Sequence, residues 1–184
     1  MSRMPFPDME ALSAEKKAAV GWPERPVLNI TRMALHAPDS LWRGHFALKQ
    51  AAVKSTTIDE RLREILILRT ACLAKSDYEL HHHISISANL GFSPEKQQAL
   101  LAGDYAGLTE EERTVAEFTD RVAQFQMDDA TFARARALFG EPLVMEMLIL
   151  IASYWGTAMS THALGLECDV EPVRSWAEPE PEDV

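Results

Sequence analysis

The 184-residue chain has two cysteines, Cys72 and Cys168, which form neither a Cys-x-x-Cys pair nor a metal-ligand spacing. That excludes a disulfide scaffold and a cysteine-ligated cluster, and fits a cytoplasmic protein with reduced thiols. Its eight glycines include no glycine-rich phosphate loop. There is no basic excess: 18 Lys and Arg stand against 28 Asp and Glu, giving a net charge of −10 and a pI near 5.0. A nucleic-acid or anionic-membrane surface needs the opposite footprint, so neither is an expected partner. The N-terminus, Met1-Ser2-Arg3-Met4-Pro5-Phe6-Pro7, lacks the apolar stretch of a secretory signal. The longest apolar run, Met147 to Trp155, is interrupted by Ser153 and falls short of the roughly 20 residues that cross a bilayer. No alternating strand pattern and no internal repeat are present.

What is present is helical. Apolar residues make up 47% and charged residues 25%, the profile of a soluble globular protein, and the length suits one domain with tails. The expected organisation is an N-terminal arm over 1–25, carrying Pro5, Pro7, Pro23 and a short helix near Met9 to Val20. A helical domain over 26–170 and an acidic, proline-rich tail over 171–184 follow, the tail expected to be disordered. Helices are expected over Val27–His36 and Leu41–Val53, the second with a rough apolar stripe of Leu41, Phe46, Leu48, Ala52 and Val53.

Three capping boxes follow: Thr57 with Glu60, Ser76 with Glu79, and Thr109 with Glu112. They open helices to Leu73, to the C′ glycine Gly91, and to Gln124. Ser93-Pro94 opens a helix to Gly103, and Asp128 or Asp129 caps one ending at Gly140. Pro142 starts the longest apolar helix, to Leu166, with Leu148, Ile149, Ile151, Ala152 and Trp155 as expected core. The fold class is therefore all-α. The helix from Ile58 to Leu73 is apolar on most sides and should be central. The short Ala74-Lys75 link makes it the first arm of an antiparallel hairpin.

Half of the six histidines lie in Ser76-Asp77-Tyr78-Glu79-Leu80-His81-His82-His83. Successive helical residues point about 100° apart, so three adjacent histidines cannot ligate one ion. Glu79 and His83, four apart, share a face, with His82 at its edge. Glu79-x-x-His82 has the spacing of a di-iron bundle, but the second such motif is missing. No metal and no cofactor are expected. A histidine titrates near neutrality and a buried carboxylate tunes or orients it, which points to proton transfer. Glu64, set among Leu62, Ile65, Leu66 and Ile67, must be paired if buried: with Arg61, with Arg69, or with a histidine of the next helix. Plainer roles stand beside these: Ser76 as a cap only, Glu64 in a structural ion pair, His81 and His82 at the surface, and Cys72 and His162 in the core.

Arg61-Leu62-Arg63-Glu64, an apolar helix, then Ser-Asp-Tyr-Glu-Leu-His-His-His and Gly91-Phe92-Ser93 together resemble the carboxymuconolactone decarboxylase and alkylhydroperoxidase D (AhpD-like) superfamily. The resemblance covers residues 58–103, with Tyr154-Trp155-Gly156 fitting the closing helix more loosely. It implies an AhpD-like helical bundle around the antiparallel hairpin. It places Glu64 at the family's glutamate, Ser76 and Glu79 at its two cysteines, and His83 at its histidine.

Both thiols of the redox signature are therefore replaced, and a serine cannot be oxidised to a sulfenic acid or disulfide. The resemblance then implies acid/base lyase or isomerase chemistry on a small molecule, such as decarboxylation of a lactone or aromatic-derived acid. His83, Glu64, Glu79 and Ser76 form the catalytic set. Tyr78, Arg61, Arg69 and His82 bind substrate, an arginine holding a carboxylate in bidentate fashion. The alternatives are an alkylhydroperoxide reductase using Cys72 and a non-catalytic ligand-binding member. The family also implies a homo-oligomer: a trimer, hexamer or dimer.

Overall fold

In the computed structural model, which describes residues 2–54 and 56–174, the helix around which the others pack is α4 (Glu60–Leu73). Ten consecutive residues, Leu62 to Ala71, are buried. A helix apolar on most sides has no face to give to water, and burial of Ile65, Leu66, Ile67 and Leu68 contributes roughly 1.5–3 kcal/mol each. The same burial carries Arg63, Glu64 and Arg69 into the interior, where each must find a partner. The start of α4 differs from the expected Thr57 box. Asp59 is the cap, its Oδ1 accepting from the amides of Arg61 (2.9 Å) and Leu62 (3.3 Å). Thr57 is drawn off by Glu146, whose Oε1 accepts from the Thr57 amide at 2.9 Å.

α5 (Asp77–Asn89) returns antiparallel to α4 across a tight link in which Lys75 takes a left-handed φ of 52°. Ser76 caps it, accepting from the Glu79 amide at 3.3 Å. α6 (Pro94–Ala102) and α7 (Glu110–Ala123) follow; α7 opens on the complete Thr109–Glu112 capping box, and packs on α4. Asp128 caps α8 (Asp129–Leu164), which kinks at Gly140, where φ is 74° and ψ 165°. The two halves match the two helices expected on either side of Pro142.

The buried stripe of α8 agrees with the expected one at Ile151 and differs from it elsewhere. Val144, Met147, Leu150, Ile151, Tyr154 and Ala158 are buried, whereas Ile149 and Ala152 are exposed and Leu148 and Trp155 half-buried. An all-apolar helix leaves its phase undetermined by periodicity, and packing sets it. By length and composition α8 also passes as a membrane span, the sole such helix among the described residues.

The first three helices form a cover. They are α1 (Ala14–Val20), α2 (Asn29–Ala34) and α3 (Asp39–Lys54). Lys16 Nζ donates to the carbonyls of Leu35 (2.9 Å) and Ala37 (3.0 Å), joining α1 to the end of α2. The Arg3 amide donates to the Leu164 carbonyl at 2.7 Å, so the chain begins against the end of α8. Leu41 and Leu48 of the expected α3 stripe are exposed. The expected acidic tail lies outside the described residues from position 175 onward.

Candidate functional site

The Ala74-Lys75 link sets the register of the hairpin so that α5 lays His83 over Glu64. His83 Nδ1 and Glu64 Oε2 are 2.7 Å apart, with both side chains almost fully buried. Carboxylate oxygens only accept when ionised, so Nδ1 carries the proton and donates it. On the other side of the ring, Nε2 stands 3.9 Å from Glu79 Oε2, one turn back along α5. The Tyr154 ring meets the imidazole edge-on, with centroids 5.3 Å apart.

Burial disfavours the imidazolium, but Glu64 and Glu79 outweigh it, and His83's pKa is held above the usual histidine value. Burial likewise pushes the Glu79 carboxyl up, against the pull of His83, Lys49 and His82. Glu64 Oε1 has no hydrogen-bond partner among the described residues, and Arg63 Nε stands 4.0 Å from it. The guanidinium of Arg63 is directed instead to the Val53 carbonyl and Thr56 hydroxyl.

His83 and Glu79 form one wall of a cavity of about 270 Å³. Tyr154 and Thr157 of α8 extend that wall, and Leu28, Ile30, Phe46 and Val53 of the α2–α3 cover close it with apolar side chains. Lys49 enters from the cover. Lys49 Nζ donates to the Ser153 carbonyl at 3.1 Å and to the Thr157 hydroxyl, and lies 4.9 Å from the centre of the Tyr154 ring. Burial lowers its pKa, opposed by Glu79. His45 and Lys54 also line the cavity.

A second polar cluster sits on the neighbouring face of α5. Asp169, from the segment after α8, accepts from the Tyr78 hydroxyl, from His82 Nε2 at 3.1 Å and from the Asn29 amide at 2.9 Å. His82 Nδ1 accepts from the Val173 amide at 3.0 Å, which leaves Nε2 as the protonated nitrogen. The Tyr78 hydroxyl in turn accepts from the Ile30 amide at 3.2 Å. These contacts hold Asp169 ionised: its pKa is lowered despite burial. The cluster joins the end of the described chain to α5 and to the start of α2.

Of the residues expected at the site, Glu64, Glu79 and His83 are brought together, and Tyr78 and His82 line the same cavity. Ser76 is not in the cavity wall; its hydroxyl is committed to capping α5 and lies 3.4 Å from Thr161 Oγ1. Neither arginine reaches the cavity. Arg61 donates to the Leu90 carbonyl and stacks on Phe92, while Arg69 forms a bidentate pair with Asp120 at 2.8 and 3.1 Å. Arg69 follows Glu64 by five residues and points to another side of α4; Arg61, three residues before Glu64, lies nearer its face and is drawn away by the Leu90 carbonyl and Phe92.

Cys72, expected in the core, is half-buried, with its thiol 3.2 Å from the Leu101 carbonyl, and His162 is exposed. Sequence reasoning missed Lys49, Thr157 and Asp169. Lys49 lay in an amphipathic helix where a lysine reads as solvent-facing. Asp169 lay in a loop with no motif at all.

Residues 43–121 match the model of the carboxymuconolactone decarboxylase family. No curated protein sequence matches the chain. Among solved structures it is similar to an uncharacterised peroxidase-related protein from Ralstonia eutropha JMP134, described as having an alkylhydroperoxidase AhpD core. That likeness has a TM-score of 0.78 at 18% identity, over 92% of this chain and 93% of that one. It is also similar to a protein of unknown function from Agrobacterium tumefaciens, described as a candidate antioxidant defence protein AhpD. There the TM-score is 0.67 at 19% identity, over 76% of this chain and 97% of that one. The all-helical fold with its central hairpin is thus AhpD-like, and family match and fold agree with the carboxymuconolactone decarboxylase and AhpD-like superfamily.

Proposed function

We propose that this chain, a carboxymuconolactone decarboxylase family segment in an AhpD-like fold, moves protons on a small carbonyl substrate as a lyase or isomerase, without a thiol. The observation that carries the reading is His83, held at Nδ1 by buried Glu64 and facing Glu79 across Nε2 in the wall of a small cavity. Glu64 fixes the tautomer, so the ring exchanges protons at Nε2. Glu79, with its carboxyl pushed up by burial, holds a proton more readily than an ordinary carboxyl and is a second group that can exchange one.

In a decarboxylation, the bond to the departing carboxylate breaks and its electron pair passes through the neighbouring carbonyl as an enolate. Carbon dioxide leaves, and protonated His83 delivers its Nε2 proton to the carbon and is reprotonated from solvent. In an isomerisation the same nitrogen removes and returns that proton. The thiols support this reading over peroxide reduction: Cys72 is turned to the Leu101 carbonyl, and burial with Asp77 and Asp169 pushes the Cys168 thiol up. The chain works in this reading as a homo-oligomer, since Met145, Ile149 and Met159 leave an apolar strip exposed along α8. Light scattering on a sizing column measures its mass.

The test is a set of unsaturated lactone acids and β-keto acids incubated with the protein in deuterium oxide. Loss of carbon dioxide and deuterium at the α-carbon are followed by mass spectrometry. Turnover that disappears in His83→Gln and survives in Cys72→Ser supports the reading. Turnover that survives in His83→Gln, or peroxide consumption that Cys72→Ser abolishes, overturns it.

A further inference from the structure

We propose that Lys49 is the carboxylate anchor of this cavity, and that its ligands are small carboxylic acids whose anchored carboxylate lies a few bonds from the reacting carbon. The inference rests on the acid–base reading of His83 and supplies what that reading lacks, a group that selects and orients the substrate. Arg61 and Arg69 have no part in it, because Leu90, Phe92 and Asp120 occupy them away from the cavity.

A lysine half-buried against apolar side chains loses part of its hydration and gains from compensation. Two of its three N–H groups have acceptors, the Ser153 carbonyl and the Thr157 hydroxyl. Neither acceptor carries charge, and Lys49 forms no ion pair within 4 Å among the described residues. Two neutral acceptors hold the ammonium in one place without neutralising it, which makes an anion the ligand the cavity favours. The alternative compensator, Glu79, acts on it only at longer range.

The distances then set the ligand. Lys49 Nζ and the imidazole of His83 lie against the same tyrosine, 4.9 Å and 5.3 Å from the centre of the Tyr154 ring. A carboxylate on Lys49 places the next few carbons across that ring, beside His83 Nε2 and Glu79. A cavity of about 270 Å³ takes a ligand of drug-fragment size, smaller than most drug sites. The apolar cover from Phe46 and Val53 suits the hydrocarbon part of such an acid.

The experiment pairs carboxylates with their primary amides, benzoate with benzamide and 4-oxopentanoate with 4-oxopentanamide, and measures affinity by titration calorimetry. Amides keep the shape and remove the charge. For at least one pair the carboxylate binds wild type tenfold or more tighter than the amide. Lys49→Gln removes that preference, and Lys49→Arg retains most of it. On any acid that the enzyme turns over, Lys49→Gln raises KM tenfold or more and leaves kcat within a few-fold. Should the Gln variant not fold, acetylation of wild type with a sulfo-succinimidyl ester decides the point. The carboxylate, and not its amide, slows modification of Lys49 while Lys96 is unaffected.

The anchor is overturned if no pair shows a carboxylate preference, if Lys49→Gln keeps it, or if carboxylate and amide protect Lys49 equally. Failure of the acid–base reading looks different: carboxylates still bind through Lys49, while His83→Gln leaves turnover intact.

Discussion

His82 and His83 are neighbours in sequence and equally buried, at 3% and 2% exposure, and their surroundings divide them completely. His82 donates to Asp169 from Nε2 and accepts from the Val173 amide at Nδ1, so both nitrogens serve to attach the chain's C-terminal stretch to α5. His83 has Nδ1 fixed by Glu64 and turns Nε2 toward Glu79 in the cavity wall. A helical step of about 100° separates a structural joint from the proposed proton-transfer site. Residue type and burial are the same in the two cases; the partners at each ring nitrogen decide the role.

The comparison breaks most sharply on paired variants. His83→Gln lowers kcat/KM by roughly 10²–10⁴-fold, the usual contribution of a positioned acid or base. His82→Gln stays within about threefold on activity and loses about 1 kcal/mol of stability, the worth of one buried hydrogen bond. Steady-state kinetics and urea unfolding on both proteins check the pair. A large activity loss in His82→Gln would erase the distinction.

Glu64→Gln tests the joint beneath His83. Removing one partner of a buried pair costs about 3 kcal/mol. The pH dependence follows from His83, whose folded pKa is raised above its unfolded value of about 6.5. The stabilisation it represents is fully present below that unfolded value and is lost as pH rises through the folded pKa. Urea midpoints of wild type and Glu64→Gln therefore differ most near pH 6 and converge as the solution becomes alkaline. A gap independent of pH would mean that the Glu64–His83 contact is not charge-assisted.

Asp169→Ala does for the His82 side what Glu64→Gln does for the His83 side. It removes the acceptor of Tyr78, His82 and the Asn29 amide, for an expected loss of about 2 kcal/mol and faster proteolysis after α8. Activity should change less than in Glu64→Gln, since Asp169 touches neither Glu64 nor His83.

The helices and the shared face of Glu79 and His83 were legible in the sequence; the joint that His82 forms was not. The Ser76 cap, the Gly91 stop and the apolar run of α4 specify a hairpin through local chemistry, although α4 itself starts at Asp59 and not at the expected Thr57 box. The four-residue spacing put Glu79 and His83 on one face. The partner of Glu64 stayed open among Arg61, Arg69 and a histidine, because that choice depends on how α5 settles against α4. The phase of α8 was misplaced because apolar residues surround it. Lys49 and Asp169 were invisible for a related reason: each reaches its partners from a distant segment, Lys49 across to Ser153 and Thr157, Asp169 back to Tyr78 and His82. Local patterns describe an element, and a site assembled from α3, α5 and α8 exists only after packing.

The smallest expected effect has the opposite sign. Glu79 is 5% exposed, and burial raises its pKa despite His83 and Lys49 nearby. Below the unfolded value of about 4.3, the carboxyl is protonated in both states and contributes nothing to stability. As pH rises toward the folded pKa, the unfolded chain releases its proton while the folded protein retains it, so stability falls until the folded pKa is passed. Glu79→Gln removes that penalty and keeps the shape. Its melting temperature should match wild type near pH 4 and exceed it by a few degrees at pH 8, corresponding to about 1 kcal/mol in a chain of this size. A gain in stability with a loss of turnover would place Glu79 with His83 as a group held at a cost for its chemistry. A loss of stability at pH 8 would make it a second Asp169, an acceptor whose neighbours outweigh its burial.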